Sequence, residues 1–321
     1  MIEKYYNGVI EQVAGGIGNV EHNSILVRYS NDFSIWDLES GNHYKDQTDI
    51  FFTCHEFSYN KIAEAYEPYL GLIRQMFHKY CSGTLEEFME ECDVYKLQRP
   101  VFESYFEKGF CERTEQILID EVEYEQERMH SSIVTMLQKL SEICPIVIVL
   151  NRFQLASKST MQLTNRLLQT KNKNIGIVLG VNDVQSIPEF AHEEWDAICE
   201  SMDDRNMVYH IGNAGRNMEP DVMDYYSDYE SDDGYRKLNN LVYFLDFDQA
   251  NHHLSKIERR IKFDNFTISE KKHYQLLLLQ IMVSVLQRDI AKALESCEDL
   301  EKLQDQEKEG AFYYNFWMAT Y

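Results

Sequence analysis

Positive charge is scarce in this chain. Thirty-one lysines and arginines stand against 54 aspartates and glutamates among 321 residues, a formal charge of -23. A phosphate backbone is held by clustered cations that displace its counterions, so nucleic-acid binding by the chain as a whole is excluded. No run of 18 apolar residues occurs, which excludes a membrane-spanning helix. The opening MIEKYYNGVI has neither the basic leader nor the long apolar segment of a signal peptide. CxxC pairs are also missing: the cysteines at 54, 81, 92, 111, 144, 199 and 297 are odd in number and scattered. They read as reduced residues of a cytoplasmic protein. What is present is a 44% hydrophobic, 13% aromatic composition, ample for a packed core and long enough for two domains.

Apolar residues at 2, 5, 6, 9, 10 and 13 have helical spacing, with Gly15 and Gly16 placed as a stop. Ile25 to Tyr29 and Phe33 to Leu38 are β-prone runs around Ser30-Asn31-Asp32, a hairpin signal. Residues 49–54 form another strand, and 62–80 return to helical periodicity broken at Pro68. Residues 84–143 read as helical with a break near Gly109. Ile146 to Leu150 and Ile175 to Val181, separated by a helix near 158–169, are nearly continuous apolar runs. Such runs are buried on both faces, so this βαβ unit predicts a parallel sheet. Residues 193–233 carry 13 acidic and two basic side chains, the composition of a solvated, mobile linker. From 236 onward the pattern is helical, with helices near 236–246, 248–262, 269–287, 289–303 and 309–321. Asp248-Gln249-Ala250 recurs as Asp289-Ile290-Ala291, and Leu254 and Ile257 correspond to Leu294 and Cys297. A spacing near 40 fits tetratricopeptide-like paired helices. The aromatic-rich AFYYNFWMATY at 311–321 is unlike the polar cap of a solenoid, which predicts that the chain continues or that this face meets a partner.

The glycine run Gly15-Gly16-Ile17-Gly18 does not make a phosphate loop. Asn19 and Val20 stand where Lys and Ser or Thr are needed, and a helix precedes the run while strands follow it. At the end of the strand 146–150 a nucleotide-hydrolysing sheet carries an Asp for Mg²⁺ and a second acid, but here Asn151 and Arg152 follow. An amide adds no charge to offset a divalent cation, and a guanidinium repels it. Other constellations have plainer readings. Asp228, Glu230 and Asp232 lack the glycine and bidentate Glu spacing of a calcium loop. His252 and His253 are adjacent on a helix and read as a solvated pair, and Cys54-His55 as a core thiol beside an exposed imidazole.

The segment CPIVIVLNRFQLASKSTMQLTNRLL with NIGIVLGVND resembles the Walker B and sensor strands of STAND-type signal-transduction ATPases of the AAA+ superfamily. Gln154, Ala156 and Thr160 match, both acids are replaced, and Asn182-Asp183 close the second strand where an Arg is usual. Glu67-Pro68-Tyr69 ahead of an amphipathic helix is similar to the family's post-β2 segment. The arrangement also resembles the N-terminal region of bacterial regulators in which a degenerate ATPase-like module and helical repeats precede a GGDEF-type diguanylate cyclase.

This resemblance implies a degenerate P-loop-like α/β parallel-sheet domain over 1–215, an acidic linker over 216–235 and all-α, tetratricopeptide-like repeats over 236–321. It implies a non-catalytic sensory or scaffolding module of a bacterial cytoplasmic signalling protein. Such a module has no catalytic residue, metal or cofactor, with ATP held without hydrolysis as a variant. Vestigial nucleotide positions fall at Asn151, Arg152, Asn182 and Asp183. The partner is then a protein or a downstream domain, with no nucleic acid and no membrane. Two alternatives stand beside it: an NTPase with an unusual site in which Arg152, Asp183 or Asp49 converge, and a purely structural helical-repeat protein.

Overall fold

A computed structural model describes residues 2–18, 23–29, 49–58, 61–111, 122–170, 172–183, 187–203, 207–211, 229, 231–263 and 267–303. Five strands, β1 (Ser24–Tyr29), β2 (Phe51–Glu56), β3 (Ile146–Asn151), β4 (Ile175–Asn182) and β5 (Val208–Ile211), form one sheet in the order β2-β3-β4-β1-β5. Every pairing is parallel. β3 and β4 are buried at every position, as their continuous apolar runs require.

The hairpin expected around Ser30-Asn31-Asp32 is corrected. β1 is an interior strand with β4 on one side and β5 on the other, so neither of its edges is free for residues 33–38, which lie outside the described ones. The polar triplet marks the end of a strand as readily as a two-strand turn.

Helices cover both faces of the sheet. On one lies α1 (Ile2–Gly15): a Cβ added at Gly176 of β4 would stand 2.7 Å from Val13 Cγ1, so glycine permits the helix to rest on the strand backbone. Strand residues alternate in direction, and the register Arg28↔Val181 puts Arg28 on the opposite face. There its guanidinium lies over Trp195 and donates to Cys199 Sγ at 3.2 Å, both residues of α7 (His192–Asp203).

Between β2 and β3 run α2 (Tyr69–Tyr80), α3 (Leu85–Glu91), α4 (Arg99–Lys108) and α5 (Val122–Ile143). Thr84 and Glu87 form a reciprocal capping box on α3, and α4 stops at Gly109 with φ 77°, a left-handed cap suited to glycine. β3 leads through a 3₁₀ turn into α6 (Lys158–Gln169), whose first turn is capped by Ser157 accepting from Thr160 N.

The acidic stretch is more ordered than its composition suggested. α7 and β5 lie within or beside it, and α8 (Asp232–Tyr243) begins inside the expected linker 216–235, with Ser231 accepting from Gly234 N at 2.8 Å. Asp232 and Asp233 occupy its first turn, where carboxylates oppose the positive end of the helix dipole. The remainder of that linker, residues 216–228 and Glu230, lies outside the described residues.

α9 (Phe247–Phe263), α10 (Glu270–Leu286) and α11 (Ile290–Leu303) pack together behind α8. From Leu276 onward α10 buries apolar side chains on two sides. Leu276, Leu279, Val283 and Leu286 join the core that includes the sheet, while Leu277, Ile281 and Val285 meet Ala293, Cys297 and Leu300 of α11. Two apolar stripes on one helix make a middle layer. Phe244, after α8, sits 5.7 Å from Tyr66, 6.2 Å from Phe102 and 5.8 Å from Tyr105 between ring centroids, so one core continues from the sheet region into these helices. Leu254, Ile257 and Cys297 are buried as the repeat register expects, but Leu294 is 45% exposed. The expected helix 309–321 lies outside the described residues.

The histidine pair is also corrected. His253 is buried, with its Nδ1 3.0 Å from the Tyr229 hydroxyl; the apolar face of α9 carries it inward. All seven cysteines are free thiols. No helix of the described residues is long and apolar enough to cross a membrane.

Candidate functional site

Open parallel sheets bind ligands outside the carboxyl ends of their strands, where the strand order reverses. Here those ends are Tyr29 on β1, Glu56 on β2, Asn151 on β3 and Asn182 on β4. The register pairs Glu56 with Asn151, and Tyr29 with Asn182, so these four side chains project from one face of the sheet by strand alternation.

At this edge the protein's own groups bond to one another. Tyr29 donates its hydroxyl to Asn151 Oδ1 at 2.6 Å, both residues being fully buried. The bond reaches from β1 to β3 across the end of β4. Gln154 brackets the end of β4, accepting from Asn182 N at 3.4 Å and donating to Asn182 O at 3.5 Å. Asp183 turns to the other face and pairs with Arg28 at 3.2 Å near the surface.

Arg152 has a different partner from Asn151. Its backbone has φ 52°, a left-handed conformation that costs a non-glycine residue roughly 1 kcal/mol. Its Nη1 lies 3.3 Å from Glu56 Oε1, with side-chain exposures of only 15% and 7%. The sequence-derived positions therefore divide: Asn151 and Asn182 lie in the closed edge over β4, Arg152 enters a crevice beside β2, and Asp183 lies near the surface. Asp49 precedes the amino end of β2, the opposite end of the strand from this edge, so Arg152, Asp183 and Asp49 do not converge.

The crevice has a volume of about 350 Å³ and is lined by His55, Glu56, Lys61, Glu67, Arg152 and Lys237 among others. β2 supplies His55 and Glu56, the turn after it supplies Lys61 and Glu67, and α8 supplies Lys237. Lys237 is held by Asp233 at 3.0 Å, one helical turn earlier. His55 Nε2 is 3.5 Å from Glu67 Oε1. Desolvation pushes the imidazole down to about 4 and raises the Glu67 carboxyl, so at neutral pH this contact is made by a neutral ring. An effective general base has a pKa near the working pH, and His55 lies well below it. Glu64, one turn before Glu67, is raised to about 7 by burial and by Glu67. It accepts from Asn240 Nδ2 at 3.2 Å and stands behind the crevice wall. The arrangement is suited to holding a small polar ligand more than to moving protons.

The sequence reading missed Glu56, Lys61, Glu67 and Lys237 as site residues, and it took His55 for an exposed side chain where it is half-buried. A visible signal existed in Glu56, an acid closing a β-prone run, but its partner Arg152 is 96 positions later and only the β2–β3 register joins them. Among the described residues no group of three or more His, Cys, Asp or Glu is placed to hold a metal ion. The chain matches no protein-family model, no curated protein and no solved structure.

Proposed function

We propose that this chain is a non-catalytic regulatory module: an ATPase-like sheet that has lost metal–triphosphate chemistry and serves as a scaffold, with C-terminal helices that contact a protein partner or a downstream domain. One observation carries this reading. The atoms at the ends of β1, β3 and β4, where triphosphate and Mg²⁺ would be gripped, are bonded to one another through Tyr29, Asn151, Gln154 and Asn182. A buried amide–hydroxyl pair gives a divalent cation no compensating charge, and desolvating that ion without carboxylates is unfavourable.

Two further points support it. The segment that follows β1 begins Ser30-Asn31-Asp32-Phe33-Ser34 and has no glycine before Gly41, so the strand-to-loop position of a phosphate loop lacks its signature. The strand order, with β1 beside β4, is compatible with the AAA+ resemblance. The helices are joined to the scaffold through a shared core, which is what transmission between a sensing site and a partner surface needs.

The test is calorimetric titration of the full chain with ATP and magnesium, together with a phosphate-release assay. This reading expects no magnesium-dependent turnover and no metal-dependent gain in affinity. Turnover lost on Asn151→Ala would refute it. Metal-independent ATP binding without turnover would retain the non-catalytic assignment and make nucleotide the sensed ligand.

A further inference from the structure

The crevice beside β2 carries charges that its own walls do not match in pairs. Its charged lining consists of Lys61, Arg152 and Lys237 against Glu56 and Glu67. Bases are the majority here, in a chain whose acids outnumber its bases 54 to 31. Arg152 is matched by Glu56 at 3.3 Å, and Lys237 by Asp233 at 3.0 Å. That leaves one charge of each sign. Lys61 forms no ion pair among the described residues, and the ion-pair contact of Glu67 is to the His55 ring, which is neutral at neutral pH. The Oε2 of Glu67 accepts from Glu64 N at 3.1 Å, a bond that brings no counter-charge. Burial raises this carboxyl, as expected of an acid with no cation in contact.

Both groups are within reach of solvent. Lys61 is exposed, and the Glu67 side chain is 30% exposed. They belong to the segment between β2 and α2 and line the same cavity without pairing to each other. The volume of about 350 Å³ falls at the lower end of small-molecule sites, which span roughly 300–1,000 Å³. A ligand of single charge answers one of the two groups and is repelled by the other. A metal ion is ill-suited, since three cationic side chains share the space.

We propose that the crevice binds a free α-amino acid as its zwitterion, with the carboxylate on Lys61 and the ammonium on Glu67. Ser58 lines the same space, and its hydroxyl can donate to the one end or accept from the other. Lys237 belongs to α8, so an occupant touches the end of β2 and the first of the C-terminal helices together. The crevice lies outside the bonded ends of β1, β3 and β4 and goes beyond the non-catalytic reading drawn from them, so binding here and magnesium-dependent turnover there can fail separately.

The experiment is calorimetric titration of the full chain with L-alanine, L-leucine and L-glutamine, which span small, apolar and polar side chains. Each is compared with two analogues, the acid lacking the amine and the amine lacking the carboxylate. Parent, Lys61→Gln and Glu67→Gln are titrated, and circular dichroism checks that each is folded. Lys61 is exposed, and glutamine at 67 keeps an acceptor for Glu64 N. The expected result is saturable one-site binding of at least one of the amino acids, with its single-charge analogues and both variants weaker by roughly tenfold or more. No saturable binding of any of the three, an analogue that binds as well as its amino acid, or undiminished affinity in folded Lys61→Gln would overturn it. If Glu67→Gln does not fold, the amine-free analogue tests the Glu67 contact in the parent chain.

Discussion

The hydroxyl of Tyr29, the last residue of β1, donates to the side-chain carbonyl of Asn151, the last residue of β3, at 2.6 Å and out of contact with solvent. β4 lies between the two strands, so the bond spans the end of the middle strand. Tyr29→Phe removes the donor and keeps the ring. The expected loss is about 1–2 kcal/mol of unfolding free energy, because a buried carbonyl gives up a partner. Urea denaturation measures it; an unchanged midpoint would show that the bond adds nothing.

The Glu56–Arg152 pair should behave as a buried ion pair. Glu56→Ala leaves a guanidinium with 15% side-chain exposure short of its partner, and about 3 kcal/mol of destabilisation is expected. Adding Arg152→Met should recover most of that loss, since the double variant contains no uncompensated charge. A double-mutant cycle with no coupling would place the pair among the solvated ones.

Gly176 sets the distance between α1 and the sheet. Gly176→Ala drives a methyl to 2.7 Å from Val13 Cγ1, with an expected cost of about 1–3 kcal/mol from overpacking. Val13→Ala in the same chain should return part of it, though Val13→Ala alone is itself destabilising. Thermal unfolding of the three variants checks this: a Gly176→Ala chain as stable as the parent, or one that Val13→Ala does not relieve at all, would reject the close approach as the cause.

Glu64 gives stability a pH dependence of defined sign. Its carboxyl is raised from 4.5 to about 7, so the folded state binds its proton more tightly than the unfolded state. Its contribution is fully present below about pH 4.5 and is lost as pH rises through 7. At ~1.4 kcal/mol per unit the loss is about 3 kcal/mol. His55 and His130, both lowered to about 4, act in the opposite direction as pH falls from 6.5 to 4. Glu64→Gln keeps an acceptor for Asn240 and isolates the first effect. The variant should match the parent at low pH and exceed it in stability above pH 7. A pH-independent difference between the two would reject this assignment.

Local chemistry accounts for what was legible. The helix read near 158–169 is α6, and the apolar runs at 146–150 and 175–181 marked β3 and β4 to within a residue or so. These features depend on neighbours within a few positions: periodicity and burial on both faces. Composition misled where position mattered more. Asp232 and Asp233 looked like linker and instead favour the start of α8, while His253 looked solvated and is buried against Tyr229. Ser30-Asn31-Asp32 looked like a hairpin turn because nothing near it reveals that both edges of β1 are taken by strands about 150 and 180 residues away.

The amino-acid sequence by itself determined that the chain builds a parallel α/β sheet followed by helices, and that an amide, Asn151, and a guanidinium, Arg152, stand at the end of the strand 146–151. Tertiary structure alone decided what those groups do. Asn151 is bonded to Tyr29, and Arg152 is paired with Glu56. Periodicity records which side of a strand or helix is apolar, whereas the partner of a polar atom is set by strand order and helix packing that bring distant segments within 3 Å or so of each other.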